Sequence, residues 1–243
     1  MKKQKPLLQV QRKGIDMSLL ICILILMVFG VIMVYDSSVI QGLNDFKDSY
    51  YYIRQQLVWA ALGFASMFLF SRFDYRRFKV YALSAMLASF LLLLAVFIPG
   101  FGISGGGAHR WLRIGQITVQ PAEIIKLTGV IYLASIFEKK HRVLPFMISV
   151  ISVALVTAVL QKDLGSTIVF VAIATLMYIA SGAPIWHLLP AIPLGIAGLL
   201  TLIFTSGYRS KRVLAFLDPF SDPQGYSYHI SQVLIALGSG GLF

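Results

Sequence analysis

The sequence predicts an all-α integral membrane protein, a polytopic helical bundle of about seven transmembrane helices. Three observations carry this. Of 243 residues, 58% are hydrophobic and 13% charged, against about 25% charged in an ordinary soluble domain. Mean hydropathy is +0.79. The charges also cluster between apolar runs whose length suits a bilayer core of about 30 Å crossed by a helix.

The first run, 15–35, follows a basic tail, 1–14. It exceeds a signal-peptide core of about 7–15 residues and no A-x-A site follows, so it reads as a retained span. The next six lie near 53–71, 80–98, 122–137, 144–160, 165–181 and 188–206. Lipid offers no partner to a bare amide, which makes each run helical. Residues 15–206 thus form the bundle, with an outer loop at 99–121. Residues 207–243 form an extracytoplasmic segment whose final part starts a further helix.

Orientation follows from Lys and Arg in alternate loops. With the amino terminus inside, twelve fall in the tail (Lys2, Lys3, Lys5, Arg12, Lys13) and in the turns holding Arg72, Arg76, Arg77, Lys79, Lys139, Lys140 and Arg142. Eight fall opposite, five of them in 99–121 and 207–243. The short-loop bias favours a cytoplasmic amino terminus. The net charge of +11 is then that of lysines and arginines held against anionic lipid, and no basic stripe interleaved with aromatics points to nucleic acid. Cys22 is the single cysteine, which excludes a disulfide within the chain and a cysteine-built metal site.

Four segments expected outside carry unusual residues. In 99–121, five glycines precede His109-Arg110-Trp111, and Arg113 follows. Arginine forks suit phosphate, and a tryptophan face suits a sugar, a headgroup or a cation; an interfacial loop with a belt tryptophan reads equally well. In QPAEIIKL, Glu123 and Lys126 share a helix face and can pair, supporting an outer cavity. QKDLGS, 161–166, breaks an apolar stretch running from 144 to 181. It is either a plain hairpin turn or a break lining a polar cavity, with Asp163 binding a cation, pairing with an arginine, or acting as acid or base. In 207–229, Arg209, Lys211 and Arg212 form a basic cluster that suits a pyrophosphate-linked headgroup, while Asp218 and Asp222, each before a proline, shape turns. Asp36, in VYDSSV at the end of the first run, caps a helix or lines the cavity. His187 and His229 have no partner at metal-ligand spacing, and soluble-enzyme signatures are lacking.

Taken in order, VYDSSV, GAHRWLRIG, QPAEIIKL, QKDLGS, the R-x-x-R-x-x-x-F-x-D-P block from Arg209 to Pro219, and YHISQVLIALGSGGLF resemble the SEDS family (FtsW/RodA/SpoVE) over nearly the whole chain. GAHRWLRIG and IALGSGGLF look more like the division branch than the elongation branch. The resemblance implies about ten spans and a peptidoglycan glycosyltransferase that polymerises lipid II for cell wall growth in division or elongation, beside a class B penicillin-binding protein in the bacterial inner membrane. It implies substrate contacts at Arg110, Trp111, Arg209 and Arg212, a buried charged pair at Glu123 and Lys126, and a cavity aspartate at Asp163. The family's catalytic aspartate lies beyond a landmark in which this chain ends at Phe243, so no catalytic residue is assigned and the chain is expected to be an incomplete fragment. No cofactor is evident; a divalent cation beside a pyrophosphate is chemically reasonable, with no ligand set visible. A flippase for lipid-linked precursors and a non-enzymatic scaffold for the transpeptidase are the alternatives.

Overall fold

A computed structural model describes residues 15–105, 108–115, 117–138, 143–222 and 224–239. The basic tail 1–14, Lys139, Lys140, Arg142 and the last four residues of the glycine-rich landmark lie outside the described residues. The described chain divides into two compact units, residues 1–75 and 76–243.

The first unit is a pair of helices. Asp16 starts α1 (Met17–Phe46) by accepting the Leu19 amide on its side chain at 3.1 Å. At 30 residues, α1 runs about 45 Å, which is longer than the bilayer core. The sequence places the end of the first span at Tyr35, but nothing there stops a helix. Ser37 and Ser38 turn their hydroxyls back to the Val34 carbonyl, a bond that leaves the backbone ladder intact. The helix ends at Lys47, which takes a left-handed conformation with φ 57°. Asp36 therefore sits inside α1 and caps nothing, which corrects that half of its reading. After the turn, α2 (Tyr51–Ser71) returns, and Arg54 pairs with Asp48 at its start.

The second unit is a bundle with a small sheet at one end. Its helices are α3 (Phe78–Ala95), α4 (Pro121–Phe137), α5 (Val143–Ala154), α6 (Leu164–Ala180), α7 (Ala191–Phe204), α8 (Gly207–Leu217) and α9 (Tyr228–Ser239). Among the described residues, five helices are long and apolar enough to cross a bilayer; α6 is apolar but shorter. Most of their large apolar side chains stay exposed, as lipid-facing surfaces must. α5 does not stop at Ala154 but widens into a π-helical turn, Leu155–Leu160. The run at 188–206 is shorter as a helix than the sequence predicts, because α7 starts only after its N-cap Pro190, and Pro184 opens a separate 3-10 turn at Ile185–His187 before it. Among the described residues, the segment 207–243 holds two helices where one is expected.

Two layers of core fasten α3, α4, α5 and α6. Met86, Leu93, Ala122, Ile125, Val153, Val156 and Phe170 form the layer nearer the sheet, and Leu133, Phe146, Ala174, Tyr178, Ala183 and Leu188 form the other. Between α4 and α6 the approach is close. A β-carbon added to Gly129 would lie 2.7 Å from the Phe170 ring, so any side chain there forces the ring or the helices to shift. Small residues at such crossings let helix backbones approach in lipid, where dispersion rather than the hydrophobic effect holds helices together.

The loop expected at 99–121 is a three-stranded antiparallel sheet in the order β1 (Gly102–Gly105), β2 (Ala108–Ile114), β3 (Ile117–Val119). Ile114 pairs with Ile117, so the two strands are joined by a connection of two residues that begins at Gly115. Such hairpins need positive φ, and Gly115 supplies it at 65°. The register of β1 against β2 jumps: Ile103 faces Trp111 while Ser104 faces His109. Arg110 is the extra residue of this bulge, a device that re-aims a side chain.

Candidate functional site

The site is built on the connection between α5 and α6. At the end of the π-turn the Gln161 amide reaches Val156, and the Asp163 amide reaches back to the Thr157 carbonyl at 2.7 Å. Lys162, between them, is forced to φ 57°. Left-handed conformations at a non-glycine residue are strained and gather at functional positions, as do π-turns. Asp163 then caps α6. Its carboxylate accepts the Ser166 amide at 3.2 Å and the Ser166 hydroxyl at 2.9 Å.

Four neighbouring elements attach to this short segment. From the sheet, bulged Arg110 donates its Nη2 to the Lys162 carbonyl at 2.9 Å. Its Nε lies buried 3.9 Å from the Asp163 carboxylate, an ion pair just beyond hydrogen-bond length. From the start of α4, Gln120 donates to the same carboxylate at 3.2 Å. Gln161, fully buried, donates to the Leu93 carbonyl in the last turn of α3 at 2.8 Å. From α8, Arg209 donates to the Ala158 carbonyl at 3.0 Å. Below them Thr157 and Thr167 share a hydrogen bond of 2.8 Å. Asp163 is only 5% exposed, so its charge is held by these donors and by Arg110. A buried carboxylate without such partners would be severely penalised.

Each residue singled out in the sequence has a definite place. Arg110 and Asp163 come together, as the pairing alternative for Asp163 requires; the plain-hairpin reading of QKDLGS does not cover the π-turn or the contacts made to it by four neighbouring elements. Trp111 is 42% exposed and Arg113 is exposed, while Leu112 between them is buried against the bundle. Trp111 thus presents an open face on the strand that carries Arg110. Glu123, in the first turn of α4, accepts a hydrogen bond from Lys126 at 2.7 Å. Glu123 is the exposed partner at 60% and Lys126 the sheltered one at 19%. Arg209 is spent on backbone, donating Nη1 to Leu202 at 3.1 Å as well as Nη2 to Ala158. Arg212 lies three residues further along α8 on its exposed side. Asp36 belongs to the other unit. Asp218 and Asp222 shape turns as expected: Asp218 is the C-cap of α8 and its carbonyl accepts the Ser221 amide, and Asp222 accepts the Tyr226 amide.

The unequal burial of the Glu123–Lys126 pair sets an expectation. Glu123→Gln leaves a sheltered ammonium without its counter-charge, whereas Lys126→Met leaves an exposed carboxylate that water or headgroups can solvate. Thermal unfolding in detergent should therefore show the larger loss for Glu123→Gln. Equal losses would place both groups in water.

Sequence reasoning missed Gln120, Gln161, Ser166 and the Lys162 carbonyl. The glutamines carried a signal, since each is a lone amide at the edge of an apolar run, where an unpaired polar group is costly. The carbonyl carried none, because its exposure to Arg110 depends on the bulge and the π-turn together.

A multi-pass helical membrane protein with an arginine–aspartate cluster seated at one end of its bundle is the class these features define. The chain belongs to the FtsW/RodA/SpoVE cell cycle protein family, which it matches over residues 16–243. It is 34% identical over 239 residues to a probable peptidoglycan glycosyltransferase FtsW of Geobacter sp. (strain M18), covering 95% of this chain and 65% of that protein. It is 33% identical to the stage V sporulation protein E of Bacillus subtilis (strain 168), covering 94% and 64%. The chain thus spans a little under two thirds of these relatives. Among solved structures, a chain of a peptidoglycan synthase complex that coordinates polymerization and crosslinking matches with a TM-score of 0.64 and 28% identity, over 88% of this chain and 66% of that one. The Rod shape determining protein RodA of Thermus thermophilus matches with a TM-score of 0.55 and 27% identity, over 73% and 58%.

Proposed function

We propose that the protein is a peptidoglycan glycosyltransferase of the cytoplasmic membrane, polymerising lipid II on the outer side with its amino terminus inside. The observation that carries this reading is the seating of Arg110 on the Lys162–Asp163 turn, with Trp111 exposed on the same strand. The segments 99–121, 161–163 and the start of α8 converge at one end of the bundle, the end that the Lys and Arg bias assigns to the outside. A lipid-borne diphosphate sugar presents an anion at the membrane surface and sugar rings beyond it, which suit an arginine and a flat aromatic face.

In the proposed reaction a sugar hydroxyl attacks the anomeric carbon of a lipid-linked sugar. The new glycosidic C–O bond forms as the bond to the diphosphate breaks, and undecaprenyl pyrophosphate leaves with the bonding pair. A base takes the hydroxyl proton and positive charge stabilises the leaving group. Arg110 and Arg212 are the residues we assign to the diphosphate, and Trp111 to the sugar or headgroup. Asp163 fixes the orientation of Arg110. A class B penicillin-binding protein is the proposed partner, crosslinking the strands as they are made.

The test is a polymerisation assay with fluorescent lipid II in detergent, using the purified protein. Glycan ladders are expected, weakened by Trp111→Ala and Arg212→Ala. A flippase makes no ladder in detergent, so transbilayer movement of lipid II without product would overturn the assignment. A scaffold for the transpeptidase would tolerate both substitutions.

A further inference from the structure

We infer that Arg209 is a positioning residue, which fastens the elbow between α7 and α8 to the π-turn that presents Asp163 and the Lys162 carbonyl to Arg110. The family resemblance would make Arg209 a substrate contact, but its two terminal nitrogens are committed elsewhere. Nη1 donates to Leu202, in the last turn of α7, and Nη2 to Ala158, inside the π-turn. Leu202 is among the last four carbonyls of α7, which have no amide ahead of them within the helix and carry the negative end of its dipole. Ala158 is 6% exposed, so its carbonyl has little water to turn to. A planar guanidinium spans two such acceptors at once; a lysine ammonium at the same place is a single point with different reach.

The geometry gives the latch a consequence at the site. Ala158 and Asp163 bracket a stretch in which the amide of Asp163 skips to Thr157 and Lys162 takes positive φ. Such a backbone persists only where its surroundings over-determine it. Gln161 holds it from α3, Gln120 from α4 and Arg110 from the sheet. Arg209 supplies the hold from α8. With Arg209 gone, the π-turn gains freedom to relax toward regular helix, which would withdraw the Lys162 carbonyl and the Asp163 carboxylate from Arg110.

This inference rests on the proposed function only for its activity readout, and a second readout is independent of it. Hydrogen exchange on the protein in lipid nanodiscs should show the amides of residues 157–164 exchanging at least about tenfold faster in Arg209→Ala, the worth of a charge-assisted hydrogen bond, with α3 unchanged. Arg209→Lys, which keeps the charge and can keep one bond, should show a smaller rise confined to the same segment. That variant guards against a fold lost outright in Arg209→Ala. In the lipid II assay, Arg209→Ala should lower kcat with KM within about twofold, and Arg209→Lys should recover part of kcat. Exchange in 157–164 that is unchanged in both variants, or KM that rises with kcat held, would overturn the latch and return Arg209 to the substrate. If the unsubstituted protein forms no glycan, the proposed function fails while the exchange result still decides the latch.

Discussion

Asp163→Ala is expected to abolish glycan polymerisation, lowering it at least about 100-fold, the size of effect that small misplacements of a site can produce. One carboxylate accepts the Ser166 amide, the Ser166 hydroxyl and the Gln120 amide, and faces the buried Arg110 Nε. Alanine removes an N-cap, worth about 1 kcal/mol, and leaves buried donors unsatisfied at about 1–3 kcal/mol each. Asp163→Asn separates the two roles. Its side-chain oxygen can still cap α6, so thermal stability should fall less than for alanine. It carries no charge to hold Arg110, so polymerisation should still drop well below the unsubstituted level. Unfolding midpoints and assay rates measured on both variants check this. Full activity in Asp163→Asn would show that the cap alone matters.

Gly129→Leu is expected to be the most damaging single change in the core. Even a β-carbon would meet Phe170 at 2.7 Å and 3.3 Å on adjacent ring atoms, and Phe170 is 3% exposed with packed neighbours. The ring must shift within its packed surroundings, or α4 and α6 must separate. Overpacking of this kind costs about 1–3 kcal/mol for one or two added carbons, and leucine adds four. Gly129→Ala should fall at the low end. Because α4 carries Gln120 and α6 carries the Asp163 cap, activity should fall with stability. The check is a double-mutant cycle with Phe170→Leu, which frees space at the crossing. Gly129→Ala should cost less in the Phe170→Leu background than alone, by an interaction energy of about 0.5–3 kcal/mol; simple additivity would show that the two residues do not press on each other.

The helical membrane fold was legible in the sequence because lipid imposes one rule on every span, namely long apolar runs with charges between them. Where helices begin and end was less legible. α1 runs past Tyr35 because Asp36, Ser37 and Ser38 are compatible with helix, and polarity there marks the edge of the bilayer rather than of the element. The sheet at 102–119 was missed for the opposite reason. Its strands are short and glycine-flanked, and the run of glycines reads as a loop. The Ile114-Gly115-Gln116-Ile117 spacing is a hairpin signal that could have been used, since two β-branched residues flank a two-residue turn with glycine.

Of the site, the residue types were legible and their partnerships were not. Arg110 and Asp163 stand 53 positions apart, and their meeting depends on a bulge and a π-turn that local pattern does not report. Arg209 shows the limit most clearly. A basic cluster at the end of a span reads as a phosphate site, yet this guanidinium is turned inward onto two carbonyls. Only geometry separates an arginine that binds an anion from one that caps a helix.

Sidedness is the claim on which the functional reading stands, and labelling tests it most directly. With Cys22 replaced by serine, single cysteines at Trp111, Arg212 and His187 would be exposed to a membrane-impermeant maleimide in intact spheroplasts. The positions at 111 and 212 are expected to label from outside, and 187, at the opposite end of α6, only after the membrane is opened. Labelling of 187 from outside with 111 and 212 protected would put the arginine–aspartate cluster in the cytoplasm and contradict a role in building the wall.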